Sequence, residues 1–311
     1  MPALQLTGVS KDYRLGFWRK RRRVLHGLDL TVEAGETFGY LGPNGAGKST
    51  TIKILLGLVR PTAGAVRLFD RPADEAGVRA AVGFLPESPA FYDYLTGEEF
   101  LRYAGRLAGL ARAQAAEQAV RLLSRVGLAA SADTHLRKYS KGMLQRIGLA
   151  HALLGDPRLI ILDEPMSGLD PVGRKQVRDL ILRLRAEGRT VFFSSHIIPD
   201  VEMLCDRVGI LLGGRLARVG RLDELLDSDV EFGELVVTGL PAPVVAELAP
   251  LALEPPLAHG ARTQFRVAGE AEADRILRRA LEAGGRVTGL TFQRRTLEEL
   301  FLDAVRGGGR P

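Results

Sequence analysis

Two stretches of this 311-residue chain combine residue types that could handle a phosphate group. The first is Gly42-Pro43-Asn44-Gly45-Ala46-Gly47-Lys48-Ser49-Thr50, which fits GxxxxGKS from Gly42 to Ser49. A nucleoside triphosphate needs many donors close to its phosphates. Glycines let the backbone pass near enough to aim N–H groups inward, and a helix beginning at the loop's end adds free N–H groups and its positive dipole end. Lys48 has the length to meet the β- and γ-phosphates as a mobile charge, and the Ser49 hydroxyl suits the shell of a Mg²⁺ ion. The second stretch is the acidic pair Asp163-Glu164, after the apolar run Leu159-Ile160-Ile161-Leu162. Asp163 is suited to hold Mg²⁺ directly or through water, and Glu164 to orient and polarise an attacking water. Phosphoryl transfer is largely positioning and charge stabilisation, so a set this small suffices. The plain alternatives are a glycine-rich turn before a lysine and a solvated acidic pair. Both stretches occurring in one chain, each after an apolar run, favours the chemical reading.

These residues need elements to hold them. Thr37-Phe38-Gly39-Tyr40-Leu41 precedes the phosphate loop, and Ile52, Leu55, Leu56 and Val59 form one face of a helix expected from about Lys48 to Leu58. Leu159–Leu162 reads as a strand buried on both faces of a parallel sheet, and open α/β sheets place ligands at the carboxyl ends of such strands. Residues 4–9 and 24–32 alternate as half-buried strands do, which predicts an antiparallel β section ahead of the loop. Ala65–Phe69, Val82–Leu85 and Val191–His196 read as further strands. Thr96 and Glu99 form a capping box that opens a helix-only stretch reaching Gly127, and a second helix follows from about Gly142 to Leu154. Asp170 caps another helix, with Pro171 in its first turn and Gly188 at its end. Strands 207–212 and 215–219 flank the two-residue hairpin turn Gly213-Gly214. Past about residue 231, prolines break the pattern into three strands (234–238, 263–268, 286–293) and helices, the clearest being 270–283 and 296–305. The expected fold is therefore α/β: a mainly parallel core sheet, an N-terminal antiparallel β section, a helical insert at about 88–155, and a small C-terminal α+β domain. The boundary is placed between 1–230 and 231–311.

Composition narrows the class. Hydrophobic residues make up 46% and charged ones 26%, which supports a sizeable core in an ordinary soluble chain. No run approaches the roughly 18–20 apolar residues of a membrane-spanning helix. The start, Met1-Pro2-Ala3-Leu4-Gln5, lacks a basic segment followed by an apolar core, so no secretion signal is expected. Cys205 is the only cysteine, which leaves no intrachain disulfide and fits a reducing compartment. The net charge of +6 permits contact with nucleic acid or anionic lipid without requiring it. Much of the basic excess is Arg19-Lys20-Arg21-Arg22-Arg23 beside Phe17 and Trp18, which suits either a solvated hairpin tip or an anionic membrane surface. His26, His135, His151 and His259 lack metal-ligand spacing.

Taken in order, the motifs resemble those of the ATP-binding subunits of ABC transporters, over about residues 4–225. Gly42–Thr50 and Leu159–Glu164 match that family's two nucleotide motifs. Tyr139-Ser140-Lys141-Gly142-Met143-Leu144-Gln145-Arg146 is similar to its LSGGQ segment, Ser167-Gly168-Leu169-Asp170 to the loop after the second nucleotide motif, and Ser195-His196 to its switch histidine. Tyr13 is placed like the aromatic that stacks on adenine. Lys141 stands where the first glycine of LSGGQ belongs and Met143 replaces its glutamine. Glu87 stands where most members have the glutamine of the loop that touches metal and membrane subunit. These departures are similar to the branch that exports drugs, antibiotics, lipids or polysaccharides.

The resemblance implies a P-loop NTPase that takes ATP and Mg²⁺. It implies catalytic roles for Glu164, His196 and Lys48. Nucleotide would be held by Tyr13, by the loop Gly42, Pro43, Asn44, Gly45, Ala46, Gly47, Lys48, Ser49 and Thr50, and by Ser140 and Gly142. Metal would be held by Ser49, Asp163 and Glu87. Ser140 and the Gly142 N–H begin a helix and so form an anion site, which in the family faces the γ-phosphate bound by the other subunit. His196 would touch the γ-phosphate or Glu164. The implied function is ATP hydrolysis that drives a separate membrane-spanning exporter from the cytoplasmic face of the membrane, through a head-to-tail homodimer in the ATP state. Residues 86–110, with Phe91, Tyr92, Tyr94, Phe100 and Tyr103, either dock that partner or pack the helical insert. The rival is a soluble ABC-type ATPase acting on nucleic acid or ribosomes. The basic run supports it; the single phosphate loop and the absence of long heptad inserts count against it.

Overall fold

A computed structural model of the chain describes residues 1–15, 20–226, 230–294 and 296–307. It divides into two compact units, one of Met1–Leu222 together with the chain from Ala304 onward, the other of Asp223–Asp303. In chain order the first holds β1 (Pro2–Leu15), β2 (Lys20–Glu33), β3 (Thr37–Leu41), α1 (Lys48–Leu55), β4 (Ala63–Leu68), β5 (Arg71–Pro72) and β6 (Val82–Leu85). Then come α2 (Gly97–Leu107), α3 (Arg112–Arg125), α4 (Lys141–Ala152), β7 (Leu159–Asp163), α5 (Pro171–Ala186), β8 (Thr190–Ser195), α6 (Ile198–Leu204), β9 (Arg207–Leu212) and β10 (Arg215–Arg221). The short α7 (Leu222–Leu226) follows.

The central sheet has the order β10-β9-β3-β8-β7-β6. All its neighbouring pairs are parallel except β10 with β9. Every residue of β3, β7 and β8 is buried, because one face packs with α1 and the antiparallel β1–β2 pair in a single apolar core and the other is covered by α5 and α6, which leaves no side for polar alternation. The parallel arrangement brings the carboxyl ends of β3, β7 and β8 together, and each of the two phosphate-handling stretches starts from one of those ends. A second, antiparallel sheet, β2-β1-β4-β5, lies ahead of and after the loop in sequence. β1 and β2 run much further than their alternating segments, since the polar tract Lys11–Arg14 pairs with Arg21–Leu25 across the hairpin. Asp12 and Arg23 bond there at 2.7 Å. The basic run lies partly on this pair; Phe17, Trp18 and Arg19 lie outside the described residues.

The helix after the loop stops at Leu55, short of the expected Leu58, which is instead 68% exposed. Leu56 and Gly57 turn the chain there, and an apolar stripe alone does not register that turn. The insert helix α2 opens on the expected capping box, with Glu99 N–H donating to Thr96 Oγ1 at 3.2 Å and Thr96 N–H to Glu99 Oε2 at 2.8 Å. Asp170 caps α5 by accepting from Gly173 N–H at 3.1 Å.

The second unit contains β11 (Val230–Thr238), α8 (Ala242–Leu248), β12 (Leu257–His259), β13 (Arg262–Val267), α9 (Glu270–Glu282), β14 (Arg286–Arg294) and the start of α10 (Leu297–Gly307). Its antiparallel sheet has the order β12-β13-β11-β14, the split βαβ arrangement of ferredoxin-like domains. Leu235, Val237, Phe265 and Val267 on the sheet meet Leu248 of α8 and Ile276 of α9 in a core of its own. Four strands replace the three expected, because all of β12 is exposed and carries no apolar alternation. Among the described residues no helix is long and apolar enough to cross a membrane.

Candidate functional site

The phosphate loop leaves the buried end of β3 and wraps a cleft of about 230 Å³, lined also by Val24, Glu87 and Glu164. Its floor is held by two hydroxyls. Thr51 Oγ1 donates to Gly47 O at 3.1 Å and lies 3.1 Å from the Tyr40 hydroxyl, which fixes the first turn of α1 to β3. Burial of that tyrosine in the core pushes its ionisation far above the usual value.

Lys48 is only 6% exposed. Its ammonium donates to Gly42 O at 2.6 Å and lies 3.1 Å from Glu164 Oε1. That second approach is an ion pair without hydrogen-bond direction, so Glu164 Oε1 is a buried acceptor with unused capacity. The other carboxylate oxygen, Oε2, is 2.8 Å from His196 Nδ1. Lys48, Glu164 and His196 thus form a continuous chain from the loop to the end of β8.

Glu164 follows β7 with φ 47°, a left-handed backbone uncommon for a residue with a side chain and frequent at functional sites. Its N–H reaches both the carbonyl and the hydroxyl of Ser194, at 3.2 and 3.1 Å. Ser194 Oγ donates in turn to Asp163 Oδ1 at 2.6 Å. The parallel register sets Asp163 beside Ser194, so one fully buried hydroxyl orients the acid and secures the turn after it. Sequence pattern points to Ser195, beside His196, and not to Ser194. Ser195 Oγ instead accepts from Ile197 N–H in a local turn. The available signal was a polar residue at the carboxyl end of an otherwise apolar buried strand.

Ser140 is the N-cap of α4 and accepts from Met143 N–H at 3.3 Å, with Gly142 in the first turn. Neither lines the cleft around Lys48. The Lys141 side chain lies over the Ser167–Asp170 loop, where its Nζ would be 2.0 Å from a Cβ placed on Gly168. Tyr13 does not line the cleft either; it pairs with Arg22 on β2, and the Lys11 ammonium sits 5.1 Å from its ring centroid. Val24, at an irregularity in the β1–β2 register, is the β2 residue that reaches the cleft wall. The aromatics of 86–110 divide into two groups. Phe91 and Phe100 pack edge to face within the insert, whereas Tyr92, Tyr94 and Tyr103 cluster at the surface, each at least 42% exposed.

The donor set fits a magnesium nucleotide. A Cβ on Gly45 would meet nothing within 4 Å, so open space faces the loop backbone there. Among the described residues no three His, Cys, Asp or Glu gather to hold a metal by themselves. Mg²⁺ keeps several waters and takes phosphate oxygens with only one or two carboxylates; Glu87 and the Ser49 hydroxyl line the cleft, and Asp163 stands just outside its lining, one residue before Glu164.

The profile of the ABC transporter family matches residues 25–167. An ABC transporter ATP-binding protein of Nostoc sp. is 42% identical over 98% of this chain and 90% of its own length. A fluoroquinolones export ATP-binding protein of Mycobacterium tuberculosis is 43% identical over 65% of this chain and 66% of its own. Among solved structures, a dimeric ATP-binding cassette in a post-hydrolysis state bound to ADP and Pi superposes with a TM-score of 0.64. That match has 25% identity and spans 70% of this chain and 98% of the cassette.

Proposed function

This chain belongs to the ABC transporter family as an ATP-binding protein, and we propose that it is the subunit whose ATP hydrolysis drives a separate membrane-spanning exporter. The fold is that of a P-loop NTPase and the family's activity is that of an ATPase. The observation that carries the reading is the chain Lys48–Glu164–His196, in which the buried Lys48–Glu164 pair under the phosphate loop meets the exposed His196, with Asp163 oriented from the adjacent strand.

In this reading the N–H groups of Gly45 and Gly47 and of the first turn from Lys48 to Thr50 surround the phosphates and the Lys48 ammonium neutralises them, while Gly42 N–H and Ala46 N–H stay bonded to Ser195 O and Pro43 O. Ser49, Asp163 and Glu87 would hold Mg²⁺, which when bound supplies charge neutralisation at the phosphate oxygens. Glu164 orients the attacking water and draws on its proton as the water oxygen bonds to the γ-phosphorus and the bond to the β-phosphate oxygen breaks. His196, on Glu164 Oε2, holds that carboxylate in place and senses the γ-phosphate. Ser140 and Gly142 lie away from this cleft, which suits a composite site in which each ATP is covered by α4 of a second copy. Tyr13 is assigned to the adenine. The dimeric cassette with ADP and Pi supports that arrangement by likeness.

Residues 1–230 carry the nucleotide work and 231–311 an accessory role. The export relative supports an outward direction, and the surface tyrosines of the insert support a docking face for the membrane subunit at the cytoplasmic side. The test is purification of the tagged chain from detergent-solubilised membranes. A co-purifying protein with several spanning helices is expected; recovery with RNA or ribosomes instead would overturn the exporter assignment.

A further inference from the structure

The turn between β9 and β10 takes no part in the site described above, yet it touches the phosphate loop. Leu212 and Arg215 close this hairpin, and both Gly213 (φ 52°) and Gly214 (φ 75°) have left-handed backbone, as the tight turns that match strand twist require. Their surroundings differ. Gly213 is exposed, and a Cβ there would meet nothing within 4 Å. Gly214 is buried, and a Cβ there would lie 1.9 Å from Val24 O and 3.0 Å from His26 Cδ2.

Gly214 is also bonded on both sides. Its N–H donates to Ala46 O, and its carbonyl accepts from His26 N–H, each at 2.9 Å. Three residues earlier, Leu211 O occupies the space beside Gly42, 2.5 Å from where a Cβ would stand. The hairpin therefore grips the phosphate loop from behind, at Gly42 and at Ala46.

A trans peptide is planar, so the Ala46 carbonyl and the Gly47 N–H of the same unit point in opposite directions. Tying Ala46 O to Gly214 turns the Gly47 N–H the other way, toward the cleft that Gly47 lines. Loss of the Gly214 donor would leave a buried carbonyl unpaired, which favours rotation of that peptide. We propose that Gly214 is a positioning residue for nucleotide binding: its N–H fixes the Ala46–Gly47 peptide so that the Gly47 N–H is presented to the phosphates. This inference rests on the reading of Gly42–Thr50 as the ATP site.

The test titrates the full chain and its Gly213→Ala, Gly214→Ala and Lys48→Ala variants with fluorophore-labelled ATP and ADP, under conditions where circular dichroism shows each folded. Both glycine variants carry the left-handed strain, so they differ in the clash of the 214 Cβ with Val24 O and His26, which pushes the 214 N–H off Ala46 O. Gly213→Ala is expected within about twofold of wild type, and Gly214→Ala weaker by about tenfold or more for both nucleotides, on the scale of one hydrogen bond. For Gly214→Ala the KM for ATP rises while kcat at saturating ATP stays near wild type. Unchanged affinity in Gly214→Ala, or equal losses in the two glycine variants, would overturn the proposal. Should Gly214→Ala fail to fold, amide exchange on the wild-type chain decides: Gly214 N–H is expected to exchange about a hundredfold or more slower than an unstructured amide. Exchange at the unstructured rate would overturn the proposal. A wild-type chain that binds no ATP contradicts the functional reading itself, an outcome distinct from either result with Gly214.

Discussion

Ser194 is the side chain on which the arrangement of the acidic pair depends. It donates to Asp163 and accepts from Glu164 N–H, and it is fully buried, so no water replaces either bond. Ser194→Ala should cost about 1–3 kcal/mol of stability, the range for leaving buried polar groups unpaired. It should lower ATP turnover more than ATP affinity, because the phosphate loop is untouched. Turnover at the wild-type rate in a steady-state assay would show that Ser194 serves packing alone. The residues with a local pattern, from Gly42 to Thr50 and at Asp163-Glu164, were legible in the sequence because their chemistry is written in adjacent positions. The parts played by Ser194, Val24 and Gly214 were not, although Gly214 reads locally as a turn residue, because each meets the site across strand register or a hairpin turn and not through its sequence neighbours.

At the scale of elements, the legible features were those decided within one turn of chain. The Thr96–Glu99 box is such a case, and so is the strand Val82–Leu85, whose ends agree with β6. Thr96→Ala removes a side-chain acceptor from the first turn of α2 and should destabilise the chain by about 1 kcal/mol in chemical denaturation. Glu99 is held below the usual carboxylate range by its hydrogen bonds with the Thr96 backbone and side chain. A depressed folded-state value means that its contribution is full above about pH 4.3 and is lost as the pH falls through the folded value. The difference between Thr96→Ala and wild type should therefore shrink in acid; a constant difference from pH 7 to pH 3 would dissociate Glu99 from the cap. Where pairing across the sheet decides, local pattern was insufficient. β1 and β2 extend through polar residues because the hairpin pairs them, and β12 exists by pairing with β13 although every residue of it is exposed.

At the scale of the whole molecule, the motif residues from Lys48 to His196 lie in the first unit, and the second has its own buried core. A chain ending near residue 230 should keep wild-type ATP affinity by fluorescence titration; a folded truncation that no longer binds would show that the nucleotide site needs the second unit. The separation of Ser140 and Gly142 from the cleft around Lys48 makes a second copy part of the proposed mechanism. Glu164→Gln keeps the shape of the carboxylate but removes the negative charge that polarises the water, while Lys48, Ser49, Asp163 and Ser140 are unchanged. Under the proposed mechanism ATP should then bind and bridge two chains without being cleaved. Light scattering of Glu164→Gln should find a monomer without nucleotide, a monomer with ADP and a dimer with ATP; a variant that stays monomeric with bound ATP would contradict the composite site.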